Sequence, residues 1–392
     1  MKTNPISNGM KILGIETSCD ETALSIVECF GDLNDPKFTI IDSVLNSQAS
    51  LHAPYGGVYP NLAKREHQKN LPILFSELFS KHYEKDINAI AVTQGPGLEP
   101  ALWVGITFAK ELGQKLNIPV IPVNHMEGHI VSVLLNKTEK FPISNLQFPN
   151  DSASPLTTIN SPLTTINWPA IALLISGGHT QLVKVNSWGS YEIIGNTVDD
   201  AVGEAFDKVA RILGLSYPGG PEISRLAEKA RQKLTAISYK LEATFKLPRP
   251  MLHTKDFNFS FSGLKTAVLY LVKKLQVTSY NLQVTDKMQI ATEFEDAVTE
   301  VLIKKTFRAI EETEAETLII GGGVVSNIHI RRSFEKACGE RNIILLLSDQ
   351  SVSTDNAVMI AAAGYITFLA RGQASGKEGW ESDFKAEGNL KL

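Results

Sequence analysis

Two histidines stand four residues apart in the string HMEGH, His125 and His129, directly after the apolar run 120–123. On a helix this spacing puts both imidazoles on one face, where they can reach the same ion. Neutral imidazole is a common ligand for zinc and iron. On spacing alone, a ligand pair and two ordinary histidines are equally open readings. Glu127 narrows the chemistry. Zincin proteases read HExxH or HxxEH so that the glutamate can act as a base beside the metal. Here Glu127 lies two residues on from His125, about 200° round a helix, and points away from a shared ion. The geometry disfavours a protease.

The flanking chain must position this pair. Strands over 11–15 and 22–28 form a hairpin whose turn, ETSCDE (16–21), is crowded with hydroxyls and carboxylates. A third strand covers 40–48, and a helix runs over 61–81, which Pro72 should kink or split. A buried strand (89–93), the turn Gly95-Pro96-Gly97 and a helix (99–116) come next, then a strand (120–123) and the histidine helix to about 135. Residues 136–168 are rich in Ser, Thr, Asn and Pro, and SPLTTIN (154–160) is repeated at once (161–167), so this stretch reads as an exposed loop.

The order then begins again. A strand (170–175) turns at SGGHT (176–180) and returns (181–185). A helix over 197–213 carries Asp199, Asp200, Glu204, Asp207 and Lys208 on its polar face. PGGP (218–221) precedes a helix (222–234), an alternating stretch covers 257–262, and helices follow at 264–274 and 285–313. A buried strand (317–320), three glycines, a helix (327–338) and a strand (343–347) lead to the loop 351–356. The alanine-rich helix 357–370 follows, and the polar tail beyond 372 reads as loose. The two hairpin turns are counterparts, as are the strand–glycine–helix units 89–116 and 317–338. This predicts a duplicated α/β architecture with a cleft between two lobes, the glycine-rich turns facing it. The first lobe is 1–130, completed by 356–392, and the second is 131–355.

Turns of Gly, Ser and Thr offer backbone N–H groups without a bulky Cβ, and helix N-termini favour anions. Tight turns also need glycine for conformational reasons alone, which suffices for some of Gly95, Gly97 and Gly321. Four such elements in mirrored positions point jointly to a nucleotide held between lobes. Neither a P-loop nor GxGxxG is present.

With 392 residues, 43% hydrophobic and 20% charged, the chain has an ordinary globular composition. A net charge of -4 and a pI near 6.1 mean that any polyanion needs a local basic surface or a basic partner. Three cysteines without a CxxC pair suit a reducing compartment. No run is long enough to span a membrane and no signal peptide is visible, so the chain reads as cytoplasmic. Cys19 reads as a small buried residue, not a nucleophile.

The strings GIETSCDETALSIVE, GGVYPNLAKREH, TQGPGLEPALWVGITFAK, VNHMEGHI, LLISGGHTQLV, DDAVGEAFDKVARILGLSYPGGP, FSFSGLKTAV, GGGVVSN and STDNA resemble the threonylcarbamoyl transferase family of tRNA modification. That family is called TsaD in bacteria and Kae/Qri in archaea and eukaryotes. The likeness runs from about residue 11 to 364, and the bacterial form is closest. It implies the duplicated ATPase (ASKHA) fold of actin, hexokinase and heat-shock chaperones. It also implies one divalent metal, iron(II) with zinc as the alternative, on His125, His129 and Asp355; without it, Asp355 is equally a helix N-terminal carboxylate. Substrate positions carry over to Leu174, Ile175, Ser176, Gly177, Gly178, Asp207, Gly220 and Asn327. Asp207 is otherwise a solvated carboxylate and Asn327 a cap.

The reaction implied is transfer of threonylcarbamoyl from threonylcarbamoyl-adenylate, held in the cleft, to the exocyclic amine of the adenosine beside the anticodon in tRNAs reading ANN codons. Asp20 or Glu21 could take the amine proton. Implied partners are tRNA, an inactive TsaB-like paralogue and a TsaE-like P-loop ATPase. Lys64, Arg65, Arg331 and Arg332 are candidates for the RNA face, although a solvated surface accounts for each. The sequence departs from the bacterial pattern at Asn61, where glutamate is common, at Ala357, where glycine is frequent, and in GGGVVSN, usually GGGVSAN. Rival readings are a small-molecule kinase, a metallopeptidase and a non-catalytic ATP-dependent module.

Overall fold

The structure is a computed structural model and describes residues 9–135, 166–236, 245–278, 282–372 and 383–392. The duplicated SPLTTIN stretch lies outside the described residues, apart from its last two positions.

The first half runs β1 (Met10–Glu16), β2 (Glu21–Phe30), β3 (Lys37–Ser47), the single-turn α1 (Ala49–His52), α2 (Pro60–Phe79), β4 (Ala89–Gly95), α3 (Glu99–Leu116), β5 (Val120–Asn124) and α4 (His125–Val131). The second comprises β6 (Ala170–Ile175), β7 (Thr180–Ser187), β8 (Ser190–Asn196), α5 (Val202–Ile212), α6 (Gly219–Ala236), α7 (Ser262–Thr278), α8 (Val284–Thr313), β9 (Thr317–Gly321), α9 (Ile328–Arg341), β10 (Ile344–Leu347) and α10 (Ala357–Gly372). The sheets have the orders β3-β2-β1-β4-β5 and β8-β7-β6-β9-β10. In each, an antiparallel meander of three strands is extended by two parallel strands. The repeat read from the turns is thus a repeat of whole sheets.

Alternation along the strands sorts the apolar residues into layers. Leu13, Leu24 and Val92 face α2 and α3 on the outside of the first sheet. Ile12, Val27, Ala91 and Val123 face inward and share one core with α4, α10 and the inner face of the second sheet (Ala172, Leu174, Ile319). Leu173, Ile175 and Ile320 face the outer helices α5–α9. The histidine helix and α10 therefore lie between the two sheets. Close approach explains two glycines: a Cβ on Gly14 would lie 2.1 Å from the Ala357 carbonyl oxygen, and one on Gly364 2.5 Å from Ala91 Cβ.

Five local expectations need correction. Pro72 does not split α2, a single helix of 20 residues. The proline sits on the exposed face, as does Gln68, whose carbonyl it leaves without an N–H partner and which water can satisfy. The helix expected over 197–213 starts only at Val202, so Asp199 and Asp200 lie in the preceding loop. There Asp199 accepts hydrogen bonds from Ser260 Oγ, Ser262 Oγ and Phe261 N, and Thr197 bridges to Phe259. Left-handed backbone falls at Gly322 (φ 97°) rather than Gly321. The end of the tail is not loose: Glu387 N donates to Gln94 O, Gly97 N to Gly388 O and Lys110 Nζ to Phe384 O. These contacts cover the Gly95–Gly97 turn, which is not open to the cleft as expected.

Candidate metal and nucleotide site

α4 begins where β5 ends, and Asn124 caps it by accepting from Met126 N at 2.9 Å. This start presents His125 and His129 to the loop before α10. His125 Nε2 and His129 Nε2 lie 3.3 and 3.2 Å from the same oxygen, Asp355 Oδ1. Asn356 fixes that loop: its Oδ1 accepts from Met359 N, and its Nδ2 donates to Val352 O and Thr354 O. Both histidines are buried, whereas the Asp355 side chain is 22% exposed, which leaves one open side. One donor atom from each residue lies within 4.8 Å of the others. His129 supplies the test of fit. It is wholly buried; Nδ1 has no hydrogen-bond partner among the described residues, and Nε2 faces Asp355 Oδ1 at 3.2 Å without hydrogen-bond geometry. Unsatisfied buried nitrogens are costly, and a shared cation would satisfy Nε2.

Electrostatics agree. Burial opposes ionisation of Asp355, but His125 and His129 outweigh it and hold the carboxyl far below the usual range. Burial also works against a charged His125, and Asp355 and Glu16 overcome it, pushing this imidazole well up. His129 is lowered by burial and then by His125.

Glu16, at the buried end of β1, has no assigned role in the sequence reading. His125 Nδ1 donates to its Oε2 at 3.0 Å; the same oxygen accepts from Thr93 Oγ1 at 2.8 Å, and Oε1 accepts from Ser18 N. The parallel pairing of β1 with β4 brings Glu16 and Thr93 together. This contact fixes the tautomer that turns Nε2 toward Asp355. Glu16→Ala is expected to weaken metal affinity by about 10- to 100-fold, as read by chelator competition on the folded chain. Glu127 points elsewhere, as expected: its Oε1 accepts from Tyr191 OH at 2.9 Å.

The other expected positions lie at the end of β6, within α5 and at the starts of α6 and α9. Leu174 and Ile175 are fully buried with their side chains in separate cores, so only their backbone can meet a ligand. Ser176 closes its turn, with its N donating to His179 O and its Oγ accepting from His179 N. Burial, then His125 and His129, push the His179 imidazole down to about 4; Gly321, paired with Leu174 and packed on the His129 carbonyl, sets the end of β6 beside the histidine helix. Gly177, Gly178 and Gly220 have no positive φ, and a Cβ on any of them would meet nothing within 4 Å. Neither backbone conformation nor packing demands glycine there, and the missing side chains leave the backbone amides open. By contrast, Gly321 is needed because a Cβ would lie 2.6 Å from the His129 carbonyl oxygen.

Asp207 is not simply solvated. Its Oδ1 accepts from Gly219 N at 2.7 Å at the start of α6. Burial raises its pKa, opposed by the Gly219 and Gly220 amides and by Arg211. Asn327 both caps α9, through Ile330 N, and donates Nδ2 to Glu295 at 2.6 Å, leaving one amide hydrogen for a ligand. The 16–21 turn meets the triad through Glu16 and Ser18, whose Oγ lies 3.3 Å from His125 Nδ1, and Glu21 in it is raised well above the carboxylate range by burial, then by Asp20 and Asp355. The Cys19 thiol is pushed well up by burial and then by Asp20 and Glu21, which makes it a poor nucleophile.

The family model for tRNA N6-adenosine threonylcarbamoyltransferase (TsaD) matches residues 39–147 and 156–362. The chain belongs to that family of tRNA-modifying transferases. Relatives bearing the same name include that of Thermosipho melanesiensis, 42% identical over 92% of this chain and 95% of its own. The protein from Polynucleobacter asymbioticus is 42% identical over 94% and 96%. Among solved structures, full-length HypF in its phosphate- and nucleotide-bound form shares 13% identity and a TM-score of 0.53, covering 95% of this chain and 48% of HypF. That likeness concerns the fold alone, the two-lobed ASKHA architecture. Family membership settles the family resemblance of the opening motif but leaves residue roles to the geometry. Sequence reading missed Glu16, His179 and the buried His52 and His67, whose significance depends on contacts across the sheet and turn.

Proposed function

We propose that this protein transfers the threonylcarbamoyl group from threonylcarbamoyl-adenylate to N6 of the adenosine 3′ of the anticodon in tRNAs reading ANN codons. The observation that carries this reading is the buried His125–His129–Asp355 triad beside an open Ser176-Gly177-Gly178 turn, in a chain of the transferase family. The turn's amides hold the adenylate phosphate. Asp207 and the remaining Asn327 amide hydrogen address the nucleoside, with Gly220 leaving room for it.

In the reaction the adenosine amine attacks the carbamoyl carbon, the bond from that carbon to the phosphate oxygen breaks, and AMP departs. The amine proton passes to the carboxylate of Asp20 or Glu21 in the first hairpin turn, which meets the triad through Ser18 Oγ, 3.3 Å from His125 Nδ1. A divalent ion, iron(II) or zinc, held by His125, His129 and Asp355 would supply Lewis-acid stabilisation of developing charge. The triad's open side toward Asp355 is where substrate would approach.

In our reading the protein partner is an inactive paralogue of the TsaB type, and an exposed apolar face offers it a docking surface. Ile73 on α2 and Trp103 on α3 are 57% and 41% exposed beside a groove lined by Lys64, Gln68, Leu71 and Phe108. A TsaE-like ATPase completes the set. Arg331 is an unsuitable RNA contact, since it is partly buried and donates to Ser348 O, and Arg332 faces Glu228; Lys64 and Arg65 are exposed. Among the described residues no helix is long and apolar enough to cross a membrane.

The test is reconstitution of the chain with its partners, threonylcarbamoyl-adenylate and unmodified tRNA, with the product nucleoside read by mass. Absence of product alongside peptide cleavage or sugar phosphorylation would sink the reading. Gly178→Val should fold normally, because its Cβ has space, yet lose about 10²-fold in rate through blocked access to the turn amides.

A further inference from the structure

Tyr55 and Tyr59, in the loop between α1 and α2, are 64% and 52% exposed, and their rings stack at 5.8 Å between centroids, 26° apart. Large aromatics this open have no packing role, and the loop that carries them is held with unusual care. Tyr59 N donates to His52 Nδ1, which makes His52 Nε2 the donor to Gln48 Oε1. Gln48 Nε2 and Thr22 Oγ1 both donate to His67 Nδ1, while His67 Nε2 donates to Cys19 O. Each tautomer is consistent with the next, and burial keeps His67 neutral. Gln48 N also donates to Asp20 O at 2.9 Å. The pair is therefore tied through a buried relay to the 16–21 turn.

The opposite side of the loop is held from the second half of the chain. Arg211, one turn beyond Asp207 on α5, donates Nη2 to the carbonyl of Gly56, whose φ of 68° suits glycine. The loop thus bridges the rim between the Asp20 turn and the helix of Asp207. Two exposed cations, Lys64 and Arg65, follow on the first turns of α2, and Arg65 Nε folds back to Asn61 O. Aromatic faces flanked by cations are how proteins hold unstacked bases of single-stranded RNA.

We propose that the Tyr55–Tyr59 pair is a stacking platform for an unpaired base of the tRNA anticodon loop, with Lys64 and Arg65 on the adjoining phosphates. This rests on the tRNA-modifying reading above, and it names where the RNA is held while the target adenosine reaches the cleft.

The experiment measures Kd of the full-length chain for an anticodon stem-loop carrying the target adenosine, over a salt series. Tyr55→Ala and Tyr59→Ala should each weaken binding about tenfold, the ~1.4 kcal/mol of one base–aromatic stack. Their salt slope should match wild type, because no charge is removed; Tyr→Phe at either position should restore affinity. Lys64→Ala with Arg65→Ala should instead flatten the slope. Metal content and melting temperature of the tyrosine variants should stay at wild-type values. Wild-type affinity in a variant carrying both Tyr55→Ala and Tyr59→Ala, or a loss confined to binding of a protein partner, would overturn the platform. If wild-type chain binds the stem-loop through these residues yet never forms the modified nucleoside, the transferase reading fails and the platform stands.

Discussion

The His129→Ala chain is expected to bind no metal and to lose about a thousandfold in tRNA modification, ~4 kcal/mol of transition-state stabilisation, while unfolding at the same temperature as metal-free wild type. The two halves of this expectation come from different observations. Loss of metal follows from the donor count: His125, His129 and Asp355 converge on one point, and two protein ligands hold a labile divalent ion poorly. Unchanged folding follows from the state of His129 itself. Nδ1 is buried without a hydrogen-bond partner and Nε2 meets only the Asp355 carboxylate, outside hydrogen-bond geometry, so truncation removes poorly satisfied polar atoms along with some packing, and the two terms oppose each other. A histidine kept for structure would behave in the reverse way. Its loss would lower the melting temperature and leave metal content, measured by elemental analysis, untouched; that pair of results would refute the ligand role.

Much of the fold was legible because its strands read by period and length. Runs such as 170–175 and 318–320 are apolar at every position and proved to be parallel or central strands buried on both faces. β8 escaped because SYEIIGN is a half-exposed edge strand, its pattern broken by Gly195, which packs against Phe257. The start of α5 was misplaced for a related reason: Asp199 looks like a helix-face residue until Ser260, Phe261 and Ser262 arrive from about sixty positions away to claim its carboxylate. The site divides along the same line. HMEGH announces itself by spacing along one helix, whereas Glu16 becomes a partner of His125 only once β1, β4 and β5 lie side by side.

Glu127→Gln should stabilise the protein above pH 7 by up to about 3 kcal/mol and make little difference below pH 5. Glu127 is 8% exposed. Burial pushes its carboxyl up from 4.5 to about 7, against the opposing pull of Tyr191, Arg371 and Thr367. Between those values the native chain keeps a proton that the unfolded chain has released, so the wild type loses stability as pH rises through that window. The full cost is present above 7 and absent below 4.5. Glutamine cannot ionise, and its carbonyl can still accept from the Tyr191 hydroxyl, so the variant escapes the cost without losing the contact. Chemical denaturation at pH 8 and pH 5 checks this, and equal stabilities of the two chains at both would show that Glu127 ionises freely. The same variant bears on the peptidase rival. A glutamate serving as base beside the metal could not be replaced by glutamine without collapse of the activity. Here the side chain is spent on Tyr191, across the helix from Asp355, so tRNA modification should survive the change.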